Sequence, residues 1–229
     1  MTTETKQYIR ARIIADDSPE SPREWSNLGT FVGFEHRSYT IGDRRPTDAE
    51  IKAAEYGGFD ALEKHLRRQY GATVILRVGM LDHSGVSFYV GGGAHWSDSQ
   101  GWDSGTCGYI FDTAESRAEC GTAPEHIEAA LRGEIETYNQ WASGDVYGYI
   151  IERRTLCDLC ATLDQDEIPT ECPHCEIDDS DSCWGFYGTD LDEWDVPEDA
   201  RDALQAEADA GHVEYPYGGR RVEAEWRAV

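Results

Sequence analysis

The chain has 229 residues and a mass of 25.7 kDa, which suits one large domain, or a medium domain with a small insertion, and excludes several large ones. Its 45 acidic and 20 basic residues leave a net charge of −25, yet 39% of the residues are apolar and 11% aromatic, too many for a disordered acidic tail. No apolar run approaches the roughly 18–20 residues of a membrane helix, and the opening Met-Thr-Thr-Glu-Thr-Lys lacks the apolar centre of a signal peptide. The expectation is a soluble, intracellular protein with no membrane partner.

Residues 6–15 alternate well enough for a first strand, and a polar loop over Asp16 to Pro22 leads to a second strand at Gly29 to Phe34. Thr47, with Glu50 three residues on, is a capping-box signature. It opens a helical stretch to about Tyr70 that Gly57-Gly58 should divide and Gly71 should end. Thr73 to Met80 and Val86 to Val90 flank Asp82-His83-Ser84-Gly85 and read as a hairpin. A glycine-rich aromatic loop, Gly91 to Gly105, precedes a strand over Cys107 to Phe111 and a short helix over Ala114 to Cys120. Thr122 with Glu125 suggests a second capping box. Ile127, Leu131, Ile135, Tyr138 and Trp141 then recur at helical spacing, as expected of a helix face buried in the core. Val146 to Ile151 and Ser182 to Tyr187 read as paired strands, with Trp184 in the core. A helix from about Glu198 to Ala210 and a strand over Arg221 to Trp226 complete the expectation. The pattern is α+β: a largely antiparallel sheet packed by one long amphipathic helix, with a body over 1–152 and 182–229 and an insertion over 153–181 at a hairpin tip.

That insertion carries the most specific signal. Cys157-x2-Cys160 and Cys172-x2-Cys175 are two knuckles whose turns can direct four thiolates to one tetrahedral centre. So short a segment builds no core of its own, so metal binding must supply its folding free energy. Structural zinc is the expected ion. Two disulfides and a rubredoxin-like iron site are the alternatives, the first disfavoured in a reducing cytosol. Four filled ligand positions leave none for a catalytic water. His174, inside the second knuckle, is expected in an outer or solvent role, with replacement of a thiolate as the alternative. Cys107, Cys120 and Cys183 lack metal spacing and are expected to be buried.

Elsewhere, His36, Asp82, His83, His95, Asp98 and Asp103 gather in glycine-rich loops with Ser84, Trp96 and Trp102. Such loops carry catalytic groups in many enzymes. One reading is a divalent-metal hydrolase or nuclease using His36, Asp82, His83 and Asp103. The other is ordinary turn chemistry, in which Asp and Ser bond their own backbone. H-E-x-x-H, P-loop, G-x-S-x-G and G-x-G-x-x-G motifs are all missing from the sequence, so the balance leans away from an enzyme.

The cations are 17 arginines and only three lysines, Lys6, Lys52 and Lys64, a skew that resembles proteins of salt-in halophilic archaea and their viruses. Carboxylates hold water and cations in molar salt, where the Debye length is about 3 Å. The basic residues fall in duplets too short for a nucleic-acid tract, which with the acidic surface disfavours direct nucleic-acid binding; an acidic DNA mimic is a further alternative, disfavoured because the acids are spread along the chain. The blocks Pro22-Arg23-Glu24-Trp25 to Thr30, His36, Tyr39, Ile41-Gly42-Asp43, Leu81 to Gly85, Trp102 to Gly105 with Tyr109, Glu136 to Tyr138, Ser143 to Glu152 and Ser182 to Gly188 resemble, in the same order, a family of accessory proteins of tailed phages and archaeal tailed viruses. Members of that family have a simple hairpin where this chain carries its cysteines. The resemblance implies a viral origin and expression inside the host, and carries no activity with it. The expected function is therefore that of an accessory protein binding a host or viral protein, acting against host defence or replication.

Overall fold

The computed structural model describes residues 7–34, 36, 40–188, 201, 204–205 and 226–228. Its contacts divide the chain into two compact units, one from Met1–Pro19 with Gly144–Val229 and one from Glu20–Ser143. The sequence reading drew one body over 1–152 and 182–229; the strands instead sort into two four-stranded antiparallel sheets. β1 (Gln7–Ala15) pairs along its whole length with β6 (Val146–Thr155) on one side and, at Tyr8 and Ile9, with β8 (Arg227–Ala228) on the other, and with no described strand of residues 20–143.

In the unit of Glu20–Ser143, β2 (Gly29–Gly33), β3 (Ile75–Asp82), β4 (Val86–Val90) and β5 (Ser104–Asp112) take the order β2-β5-β3-β4. Helix α1 (Asp48–Tyr70) places Leu62 and Leu66 against Val32, Tyr109 and Phe111. Helix α3 (Ile127–Ser143) places Ile127, Leu131, Ile135 and Tyr138 against Phe31, Val78, Phe88 and Ile110. Neighbouring strand residues thus point to different helices, which is why β5 reads as a continuous apolar run. A bulge between Val78 and Gly79 leaves Cys107 the extra residue of β5 and turns it to the α3 side. Arg23, nearly buried, donates to Asp43, Glu134 and the Gly29 carbonyl, while Glu134 accepts from the Leu28 and Gly29 N–H groups. The entry to β2 is thereby fastened to α3.

Thr47 and Glu50 form the expected capping box, Gly57 and Gly58 leave helical geometry, with Gly58 at φ 65°, and Gly71 ends α1 at φ 65°. The second expected box does not form. Ala123 precedes a proline and sits at ψ 144°, so α3 is entered through a 3₁₀ turn, Pro124–His126, without a side-chain cap. A box forms instead at Thr113 and Ser116, on α2 (Ala114–Cys120).

In the other unit, β7 (Glu176–Tyr187) pairs with β6 from Val146↔Tyr187 to Thr155↔Glu176, so the insertion is 156–175 and not 153–181. Residues 176–181 are polar except Ile177 and carry little strand propensity. The β6 template and cross-strand pairs such as Arg153↔Asp178 extend the ladder through them. Ala11, Ile13, Tyr147, Tyr149 and Ile151 form the core with Leu204, one of three described residues of the helix expected over 198–210. The strand expected at 221–226 falls on residues outside the description except Trp226, and β8 follows it. Trp184 is 46% exposed, a correction to its expected core position; its ring lies across Gly148.

Candidate functional site

β6 and β7 bring the two knuckles together at their shared tip. Cys157 follows the buried Leu156, Cys160 opens a 3₁₀ turn and is itself buried, and the Cys175 N–H closes the second knuckle onto the Cys172 carbonyl. The four sulfurs lie within 4.8 Å of one another, with Cys157 and Cys172 at 4.0 Å. Thiolates about 2.3 Å from one ion would stand about 3.8 Å apart, so these four could hold a metal ion with little movement. None of the seven cysteines is in a disulfide.

The surroundings fit a thiolate set. The Cys157 N–H and the Arg154 guanidinium both donate to Cys175 Sγ, at 3.5 and 3.3 Å. Burial opposes ionisation of Cys175, but these donors outweigh it and pull its thiol down to about 6. Burial, with the neighbouring thiols, pushes Cys160 up to about 12. Arg154 also donates to the Pro169 and Thr170 carbonyls, and Trp226 Nε1 donates to Thr170. Tyr8 of β1 packs on Leu156 and Cys160. Sequence reasoning missed Arg154, Tyr8 and Trp226, because nothing local marks a residue on β1, on β6 or near the C-terminus as a neighbour of the knuckles. His174 is exposed and outside the sulfur cluster. Cys107 is buried as expected, whereas Cys120 and Cys183 are exposed.

The histidine and aspartate candidates divide into two groups. Asp98 and His95 follow turn chemistry: Asp98 accepts from the Asp103 N–H, the Ser104 hydroxyl and the Trp102 N–H, and His95 Nδ1 lies 2.7 Å from Ser97 Oγ. The Asp103 N–H, with the other donors, holds the Asp98 carboxyl below its ordinary range. Of the other four, His36, Asp82 and Asp103 line a cleft of about 440 Å³ at the end of β3 and the start of β5, and His83 reaches Asp103 from outside that lining. There His83 Nδ1 lies 2.7 Å from Asp103 Oδ2, His36 Nε2 lies 3.7 Å from Asp82 Oδ2, and the Asp82 N–H donates to the Asp103 carbonyl. Ile41 and Met80 line the cleft from the core side, and Trp102, 84% exposed, is part of its lining. Cys107 also lines it, but burial pushes its thiol up to about 12 and keeps it protonated. Among the described residues, three or more metal-ligating atoms converge only at the four cysteines.

Fold and site together define an α+β protein of two antiparallel sheets with a four-cysteine, ribbon-like insertion. Compared with protein-family models, curated proteins and solved structures, the chain matches none of them. Among the described residues no helix is long and apolar enough to cross a membrane.

Proposed function

We propose that the protein is a virus-encoded accessory protein of the host cytoplasm that binds a host or viral protein, with zinc as the structural ion of its cysteine centre. The observation that carries this reading is the closure of that centre. Four thiolates fill a tetrahedral ion, and Arg154 and a backbone N–H complete the surroundings, so the ion would build a surface and activate no water. Leu159, between the ligands of the first knuckle, is 70% exposed. An apolar side chain held outward by a rigid turn is a natural anchor for a partner. The viral context is supported by the ordered blocks that resemble phage and archaeal-virus accessory proteins, and the molar-salt setting by the acidic, lysine-poor composition.

Metal analysis of the purified chain, joined to affinity capture in molar KCl with wild type and Leu159→Asp, tests this reading. One zinc per chain in both proteins, with a stoichiometric partner lost only in Leu159→Asp, is the expected result. Equal recovery by the two proteins would remove the ribbon from the interface.

A further inference from the structure

The cleft at the ends of β3 and β5 has a use that the cysteine centre does not account for. Its volume of about 440 Å³ falls in the range of small-ligand sites, which runs from about 300 to 1,000 Å³. Its polar wall is acidic. Asp82 makes no side-chain hydrogen bond among the described residues, and His36 Nε2 lies 3.7 Å from its Oδ2. Asp103 gives one oxygen to His83, and its other oxygen has no hydrogen-bond partner among the described residues. No described lysine or arginine lines the cleft. A phosphate or carboxylate ligand would meet two carboxylates and no described lysine or arginine, so anions are the disfavoured class.

An exposed indole, that of Trp102, lines the same cleft as these carboxylates. Trp102 is 84% exposed, and its backbone is fixed by Asp98, which accepts from the N–H groups of Trp102 and Asp103. The Asp98 Oδ2 bond to the Ser104 hydroxyl ties the same turn to the start of β5. The backbone that carries Trp102 is therefore held before any ligand arrives, and His83 holds the Asp103 carboxylate, which lowers part of the entropy cost of binding.

We infer that this cleft binds a guanidinium group, stacked on the Trp102 indole and hydrogen-bonded to Asp82 and Asp103. A guanidinium is planar, so it stacks on an aromatic face; its fork of N–H donors fits carboxylate oxygens, and its charge is attracted by both. An ammonium brings the charge without the plane, and a sugar brings donors without the charge. The group can come from a free small molecule or from an arginine side chain of a polypeptide, and the two sources are separable by experiment.

Titration calorimetry of the full chain in molar KCl, with agmatine and with an Ala-Ala-Arg-Ala-Ala peptide, tests the assignment. Cadaverine and methyl glucoside serve as the ammonium and neutral controls. Agmatine or the peptide should bind, and Asp82→Asn and Asp103→Asn should each weaken that binding about tenfold, as the loss of a charge-assisted hydrogen bond predicts. Trp102→Ala should weaken it about fivefold, while Trp96→Ala, on the same loop but outside the cleft lining, should leave it unchanged. Tighter binding of the peptide assigns the site to an arginine of a protein partner, and equal or tighter binding of agmatine to a free guanidine compound. Absence of binding by both guanidinium probes would overturn the inference, as would equal affinity for cadaverine or the glucoside, or indifference to the two aspartate variants.

Discussion

The Arg154 guanidinium, 1% exposed, donates to Cys175 Sγ at 3.3 Å and, through its other terminal nitrogen, to the Pro169 carbonyl at 2.9 Å. One side chain of β6 therefore holds both a sulfur of the second knuckle and the loop leading into it. Four thiolates around a divalent ion carry two surplus negative charges, and a buried cation in contact with one of them offsets part of that surplus. In Arg154→Met the carbonyls and the thiolate lose their donor at nearly constant volume. The expected cost is about 3 kcal/mol of stability, with faster metal transfer to a chromogenic chelator. Arg154→Lys should fall between the two, because it restores charge without the fork. Identical transfer rates in wild type and Arg154→Met would show that the contact does not tune the centre.

Metal removal should act locally. The insertion packs few apolar residues, and its contact with β1 runs through Tyr8, Leu156 and Cys160. Without an ion, four clustered thiols no longer offset the ordering cost of residues 156–175. Hydrogen exchange after chelation should show protection lost over 156–175 and reduced around Tyr8. The β1–β6 ladder at Ile13↔Tyr149 and Ile14↔Gly148 should be retained. Unchanged exchange over 156–175 would mean that the insertion folds without metal. A Cys160→Ser chain should behave as the chelated protein does.

What the sequence disclosed was local. The Thr47–Glu50 box, the break at Gly57-Gly58 and the convergence of the cysteines follow from spacings of a few residues, and each is present in the structure. The Thr122–Glu125 pattern failed for an equally local reason, the proline at 124, whose effect on Ala123 outweighs the capping signal. Pairings over long separations were not legible. That β1 closes with β6 and β8, that Arg154 reaches Cys175, and that His83 meets Asp103 depend on strand order, which periodicity does not encode. Trp184 was read inward from its apolar neighbours. The ring is instead half outside, because Gly148 across the ladder offers it a bare backbone surface.

Acid should loosen the unit of Glu20–Ser143 through two buried carboxylates. Burial alone would raise Asp112. The Val74 and Thr73 N–H groups, the Thr73 hydroxyl and Arg117 outweigh it and hold the carboxyl below its ordinary range. Burial likewise opposes ionisation of Glu50, and Arg44 with the Thr47 N–H reverses that effect. For a group depressed on folding, the unfolded chain takes up its proton first as the pH falls. The stabilisation is complete above the unfolded value of about 4 and fades below it, toward the lower folded value. Asp112→Asn should cost about 3 kcal/mol near neutrality, because a buried carboxylate set among donors is replaced by an amide. The gap between variant and wild type in denaturant unfolding should narrow below pH 4, and a gap independent of pH would refute the assignment.

Gly148 of β6 and Trp184 of β7 are cross-strand partners whose contact leaves no room for a side chain. A Cβ at 148 would stand 2.4 Å from Trp184 Cε3 and 2.8 Å from the Cys183 carbonyl oxygen. The indole has an exposed side toward which it can move, but the carbonyl belongs to the paired strand and cannot move without disturbing the ladder. Gly148→Ala should therefore destabilise the chain by about 2 kcal/mol, although alanine ordinarily suits a strand at least as well as glycine. Trp184→Ala should cost less, about 1 kcal/mol, since roughly half of that ring's burial is missing to begin with. In the double variant the ring clash is gone and the carbonyl clash remains, so the loss should be smaller than the sum of the single losses. Strict additivity in thermal unfolding of the three variants would show that the strain at 148 comes from the backbone of β7 alone.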